Sequence, residues 1–286
     1  MVAEIFQGNS TSLVLSRALG SNVDAHHEGV ARKLHMAARG IGVAPAVAAH
    51  ARQRNVAAPR GVRRRPFYIG VSLLMGLIAI VGFWPTYFGP LVRGTINQPL
   101  LIHLHATVFS GWLVLFLTQV ALAASGRVEW HMRLGRIGIG YGVLVIIVGL
   151  LTGISRAAHR LQLGLDGDRL LFAAVADMTV FSTFFGAAIA FRRTPRLHKR
   201  LMMVAATMLL VAAASRMTFL PVLQMRQAVW VSPILLAMAY DFRAQHLIHP
   251  VYLIGLGAFF VRALSPGVLA YTDTWSAVAH WLMAFA

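Results

Sequence analysis

The chain has 286 residues, of which 58% are hydrophobic and only 12% charged, where a soluble domain carries about 45–50% apolar and about 25% charged residues. It lacks the charges that a water-facing surface needs, which excludes an ordinary soluble enzyme, a disordered tail protein and a coiled coil. The net charge of +17 would suggest nucleic acid in a soluble protein, but here the basic residues gather in an N-terminal arm and in short loops between apolar runs, as topology signals do.

Residues 1–66 form a separate region rich in Ala, Arg, Gly and Val. Ten basic residues fall in it, and no apolar run is long enough to cross a bilayer. Its one apolar stretch, Leu13–Leu15, is too short for a secretory signal. Three readings stay open: a disordered cytoplasmic basic arm, an over-extended reading frame with Met36 as an internal start, and a folded amphipathic surface helix.

From Phe67 the pattern changes, and residues 67–286 read as an all-α, polytopic transmembrane helix bundle. Apolar spans are expected at 67–88, 99–124, 132–155, 170–191, 200–222, 229–240 and 251–264, most near the ~20 residues that cross about 30 Å of hydrocarbon. The sixth is short, and Pro233 is expected to kink it. The segment 268–286 contains Tyr271, Asp273, Trp275 and His280. It reads as an amphipathic interfacial helix, with a short eighth span as the alternative.

Orientation follows from Lys/Arg placement. The loops after spans two, four and six carry nine basic residues, which join the ten of the arm on one side. The other side carries six, and Arg216 falls inside a span. The expected topology is a multi-pass inner-membrane protein with a cytoplasmic N-terminus. The lipid bilayer is the expected partner and nucleic acid is not; the sequence names no protein partner.

The absence of cysteine excludes disulfides, thiolate catalysis and the usual iron–sulfur clusters. A metal or cofactor must be held by His, carboxylate or Met. Polar groups at membrane depth are expensive and usually face the bundle interior or a wet cavity. On the outer side, His103 and His105 lie about 6–9 Å below the start of span two, at 1.5 Å per residue. Two residues apart on a helix, they cannot share a face. Asp177 is about 12 Å deep in span four and Arg216 about 9 Å deep in span five. An acid and a base at similar depth are expected to pair, as a structural ion pair or as part of an outer metal site built from His103, His105 and Asp177. On the inner side, His131 opens span three, His198 opens span five and His249 opens span seven. These three share a depth and are the candidate ligands of a cofactor; lipid phosphate is the competing partner for them.

The motifs carry a resemblance. His103-Leu104-His105 with Trp112, His131-Met132-Arg133-Leu134-Gly135-Arg136, Leu197-His198-Lys199-Arg200-Leu201-Met202, Asp241, and His249-Pro250-Val251-Tyr252 together resemble a group of bacterial multi-span membrane proteins of uncharacterised function. The likeness covers about residues 67–264 and implies an inner-membrane location without an activity. The segments around His131 and His198 are also faintly similar to diheme transmembrane b-type cytochromes, which hold haem between His pairs on alternate spans. Span four offers Asp177 and no histidine where the outer haem would need one, so the resemblance implies at most one haem or metal, on the inner side.

The expected function is therefore a redox membrane protein with haem b or a metal ion on histidine. The alternatives are a small-solute or proton transporter using Asp177 and Arg216, a scaffold or sensor without chemistry, and a membrane hydrolase with a His/Asp metal site. No Walker A, dinucleotide fingerprint, His-Glu-x-x-His or Gly-x-Ser-x-Gly pattern is present. Whether the protein is an enzyme stays open in the sequence.

Overall fold

The computed structural model describes residues 66–285, apart from the side chain of Gln245. The basic arm with Met36, and the terminal Ala286, lie outside the described residues. Among the described residues there are eight helices and no strand. We number them α1 Pro66–Val92, α2 Leu100–Ala124, α3 Val128–Gln162, α4 Asp168–Ala190, α5 Pro195–Ser215, α6 Leu223–Gln245, α7 Pro250–Leu264 and α8 Asp273–Met283.

Six of these runs are long and apolar enough to cross a membrane: α1 to α5, and α7 with the two 3-10 turns that follow it. The chain thus has the helices of a multi-pass membrane protein. Where the sequence suggested seven spans, the sixth differs from the rest. α6 has the length, at 23 residues, but Gln224, Arg226, Gln227 and Ser232 dilute its apolar stretch. It joins the bundle through packing, with Trp230, Ile234 and Ala237 buried. α8 has 11 residues, about 16 Å of helix against about 30 Å of hydrocarbon. That length rules out the short eighth span. α8 instead lies on α3 and α4, where Ala279 and Met283 pack with Ala157, Ala158 and Leu171.

α5 is the central element. Of its membrane-length window 61% is buried, against 17–33% in the other five. Its small residues allow this: Ala205, Ala206, Ala213 and Ala214 are all buried, and small side chains let helix backbones approach where no hydrophobic drive from water exists. The outer helices turn Leu73, Leu77, Ile80, Val114, Ile147 and Phe260 outward, the expected dress of a lipid-facing surface.

Two helices are irregular. α1 contains a π-helical turn at Trp84–Phe88, where Pro85 supplies no N–H to the regular ladder. α5 breaks at Leu209-Leu210. There the Thr207 carbonyl accepts from both Leu210 N and the Trp230 indole, at 3.1 and 3.0 Å, a side-chain insertion of the kind that bends helices.

Candidate functional site

At one end of the bundle two helical hairpins present histidines in matching places. His131 is the fourth residue of α3 and His198 the fourth of α5. Each reaches back to a carbonyl near the end of the preceding helix: His131 Nδ1 lies 3.2 Å from Gln119 O in α2, and His198 Nδ1 lies 2.7 Å from Ala188 O in α4. A carbonyl only accepts, so both rings carry their proton on Nδ1. In the neutral imidazole this leaves the Nε2 lone pair available as a ligand. The two ring centroids are 6.4 Å apart and the ring planes 80° apart. The two hairpins stand side by side because α4 packs against both α3 and α5.

Beside them lies an unspent polar group. Both amide atoms of Gln119 are buried without a partner, although the same residue's carbonyl serves His131. Its Nε2 stands 3.6 Å from where a Cβ on Gly135 would be, one turn along α3 from His131. A buried amide without a partner is costly, and it marks the α2–α3 wall next to the His pair as a polar gap.

His249 does not belong to this pair, which corrects the three-histidine inner cluster. It caps α7 instead, its Nδ1 accepting from Val251 N at 3.3 Å. A histidine immediately before Pro250 sits where an N-cap acceptor is needed, and that local demand holds it.

The same end holds a buried network that sequence reasoning missed. Asp241 of α6 and Arg200 of α5 are 1% and 2% exposed. Arg200 Nε and Nη2 both donate to Asp241 Oδ2, at 2.7 and 2.6 Å. Tyr68 of α1 donates to Oδ1 at 3.1 Å and Tyr252 of α7 to Oδ2 at 3.4 Å, while Arg200 Nη1 donates to the Arg196 carbonyl. Every member is satisfied, so four helices are tied at one point. The signal available in the sequence was an Arg and an Asp at the ends of two spans expected on one side.

At the opposite end the expected partner of Asp177 changes. The carboxylate pairs with Arg262 of α7: Nε meets Oδ1, and Nη2 donates to Oδ2 at 2.9 Å. Arg216 is not the partner. Helix α5 ends at Ser215, and Arg216 caps it, with Nη1 on Ala212 O at 2.7 Å and the guanidinium 4.8 Å from the Phe83 ring centroid. The face of α4 that carries Asp177 looks to α7, while Arg216 turns toward α1. Arg262 is one of the six basic residues expected on the outer side, and only helix packing places it at the same depth as Asp177. A double-mutant cycle of Asp177→Asn with Arg262→Gln is expected to show coupling of about 1–3 kcal/mol in unfolding measurements. The same cycle with Arg216→Gln should be additive, and coupling there instead would restore the sequence pairing.

The outer metal site of His103, His105 and Asp177 is also corrected. No three His, Asp or Glu side chains among the described residues converge to hold a metal. Asp177 is committed to Arg262. His103 Nδ1 lies 3.0 Å from the Tyr87 hydroxyl, on the π turn of α1. His105 stacks on Phe109 with centroids 4.1 Å apart, its Nδ1 buried without a partner. The two rings look to different neighbours, as their spacing requires. No protein-family model matches the chain, and no curated protein or solved structure matches it either.

Proposed function

We propose that this protein is a redox membrane protein of the bacterial inner membrane, its N-terminus cytoplasmic, that holds one haem b between His131 and His198. The observation that carries the reading is the pair itself. An iron atom between two imidazole nitrogens, at about 2 Å from each, sets the ring centroids about 6 Å apart, close to the 6.4 Å separation of these rings. Metal-ligating histidines nearly always donate their second N–H to a carbonyl or carboxylate, which fixes tautomer and orientation; both rings do so here.

The donor set favours haem over a bare ion. Two imidazoles without a third ligand among the described residues suit a group that brings four equatorial nitrogens of its own. His131 and His198 would hold the haem, which would supply one-electron transfer there. Arg136 and Arg196, near the starts of the same two helices, would supply positive charge for the propionates. The cytoplasmic assignment of this end rests on the nineteen-to-six bias of Lys and Arg.

The test is an absorbance spectrum of the protein purified from haem-replete cells. A Soret band is expected in the wild type, with at least a tenfold loss of bound haem in His131→Ala and in His198→Ala and retention in His249→Ala. Protein without a Soret band but with stoichiometric metal would select the bare ion. Protein with neither overturns the reading.

A further inference from the structure

A second polar cluster lies at the other end of the bundle, where α2 begins and α3 ends. Contacts of Gly135 with Gln119, Gly138 with Leu115 and Gly149 with Phe109 fix the antiparallel register of these two helices. In that register the turn containing His105 lies opposite Thr152, while Gly153 faces Ala174 of α4. Arg156 follows Thr152 by one helical turn on the same face. Arg216, at the end of α5, completes the group, and its charge acts on both Arg156 and His105.

Two features of this group are unresolved within the protein. His105 Nδ1 and Thr152 Oγ1 are buried with no partner, which native structures rarely tolerate without a bound group. The two guanidiniums also act on each other as like charges. Of the acids at this end, Asp166 accepts from Tyr271, Asp168 from Ser276 and Asp177 from Arg262. Arg216 gives one donor to Ala212 O, and a guanidinium has five.

We propose that His105, Thr152, Arg156 and Arg216 form a binding site for an oxoanion of the phosphate class. The guanidiniums supply charge and forked donors, which suit phosphate oxygens. The Thr152 hydroxyl and the His105 Nδ1–H supply two neutral donors from the buried side. The same chemistry fits the phosphate of a phospholipid headgroup or free phosphate. The site is independent of the haem reading, since it shares no residue with it.

The test uses full-length protein in a neutral detergent, titrated with short-chain phosphatidylglycerol, with a glycosylated diacylglycerol that lacks phosphate, and with inorganic phosphate, and read by native mass spectrometry. Binding of phosphatidylglycerol over the glycolipid, weakened about tenfold by Arg156→Gln or Arg216→Gln as expected for a lost charge-assisted bond, supports the site with lipid as source. Binding of inorganic phosphate with the same dependence supports it with a soluble source. Thr152→Val should weaken either probe several-fold, and Arg216→Lys should retain most of it, so a glutamine variant that fails to fold leaves two readouts standing. Equal binding of both probes by the wild type, Thr152→Val and the folded glutamine variants overturns the proposal.

Discussion

Asp241→Ala is expected to remove most folded protein from the membrane. The substitution leaves Arg200 charged, 2% exposed and without its carboxylate, and it strips the acceptor from Tyr68 and Tyr252. Breaking a buried pair from one side costs about 3–5 kcal/mol, a large share of a total stability of about 5–15 kcal/mol. Arg200→Met combined with Asp241→Leu should recover much of the loss, because the cost lies in the orphaned charge and a volume-matched apolar pair is often neutral. Tyr68→Phe removes one neutral donor to a carboxylate that keeps others, so its cost should be about 1 kcal/mol. Size-exclusion profiles of fluorescent fusions, followed by denaturant unfolding, would rank the variants. Wild-type accumulation of Asp241→Ala would show that the network does not hold the four helices together.

The second large effect is expected at Gly82. A Cβ there would lie 2.6 Å from the carbonyl carbon and 2.8 Å from the Cα of Ala213. Both are backbone atoms, so no side-chain rotation relieves the clash, and α1 must move away from α5. Overpacking costs about 1–3 kcal/mol when side chains can shift, and Gly82→Val should exceed that range. Gly76→Ala on the same helix is the control. A Cβ there meets nothing within 4 Å, and replacing a helical glycine should gain up to about 1 kcal/mol. Equal melting temperatures for Gly82→Val and wild type would mean that α1 and α5 do not approach as closely as the structure has them.

The sequence by itself determined the architecture, because the bilayer imposes length and apolarity on any segment that crosses it, and both are local properties. Six of the seven expected apolar runs, the helix start at Pro250, and the terminal positions of His131 and His198 were legible from composition and spacing. Span ends were less so: α5 stops at Ser215, not near Val222, and it is interrupted at Leu209-Leu210, where Trp230 of the next helix takes the Thr207 carbonyl. What touches what was decided only by the tertiary structure. Depth along a helix follows from residue number, but the direction a side chain faces around the bundle depends on which helices are neighbours. So depth alone pointed Asp177 to Arg216, and packing of α4 on α7 brought Arg262 to it instead. His131, His198 and His249 shared a depth as well, yet the α2–α3 and α4–α5 hairpins brought the first two together, while the helix start at Pro250 claimed the third as a cap. Asp241 and Arg200 read in the sequence as span-end charges. Only the crossing of four helices over them shows that they are the buried tie of that end of the bundle.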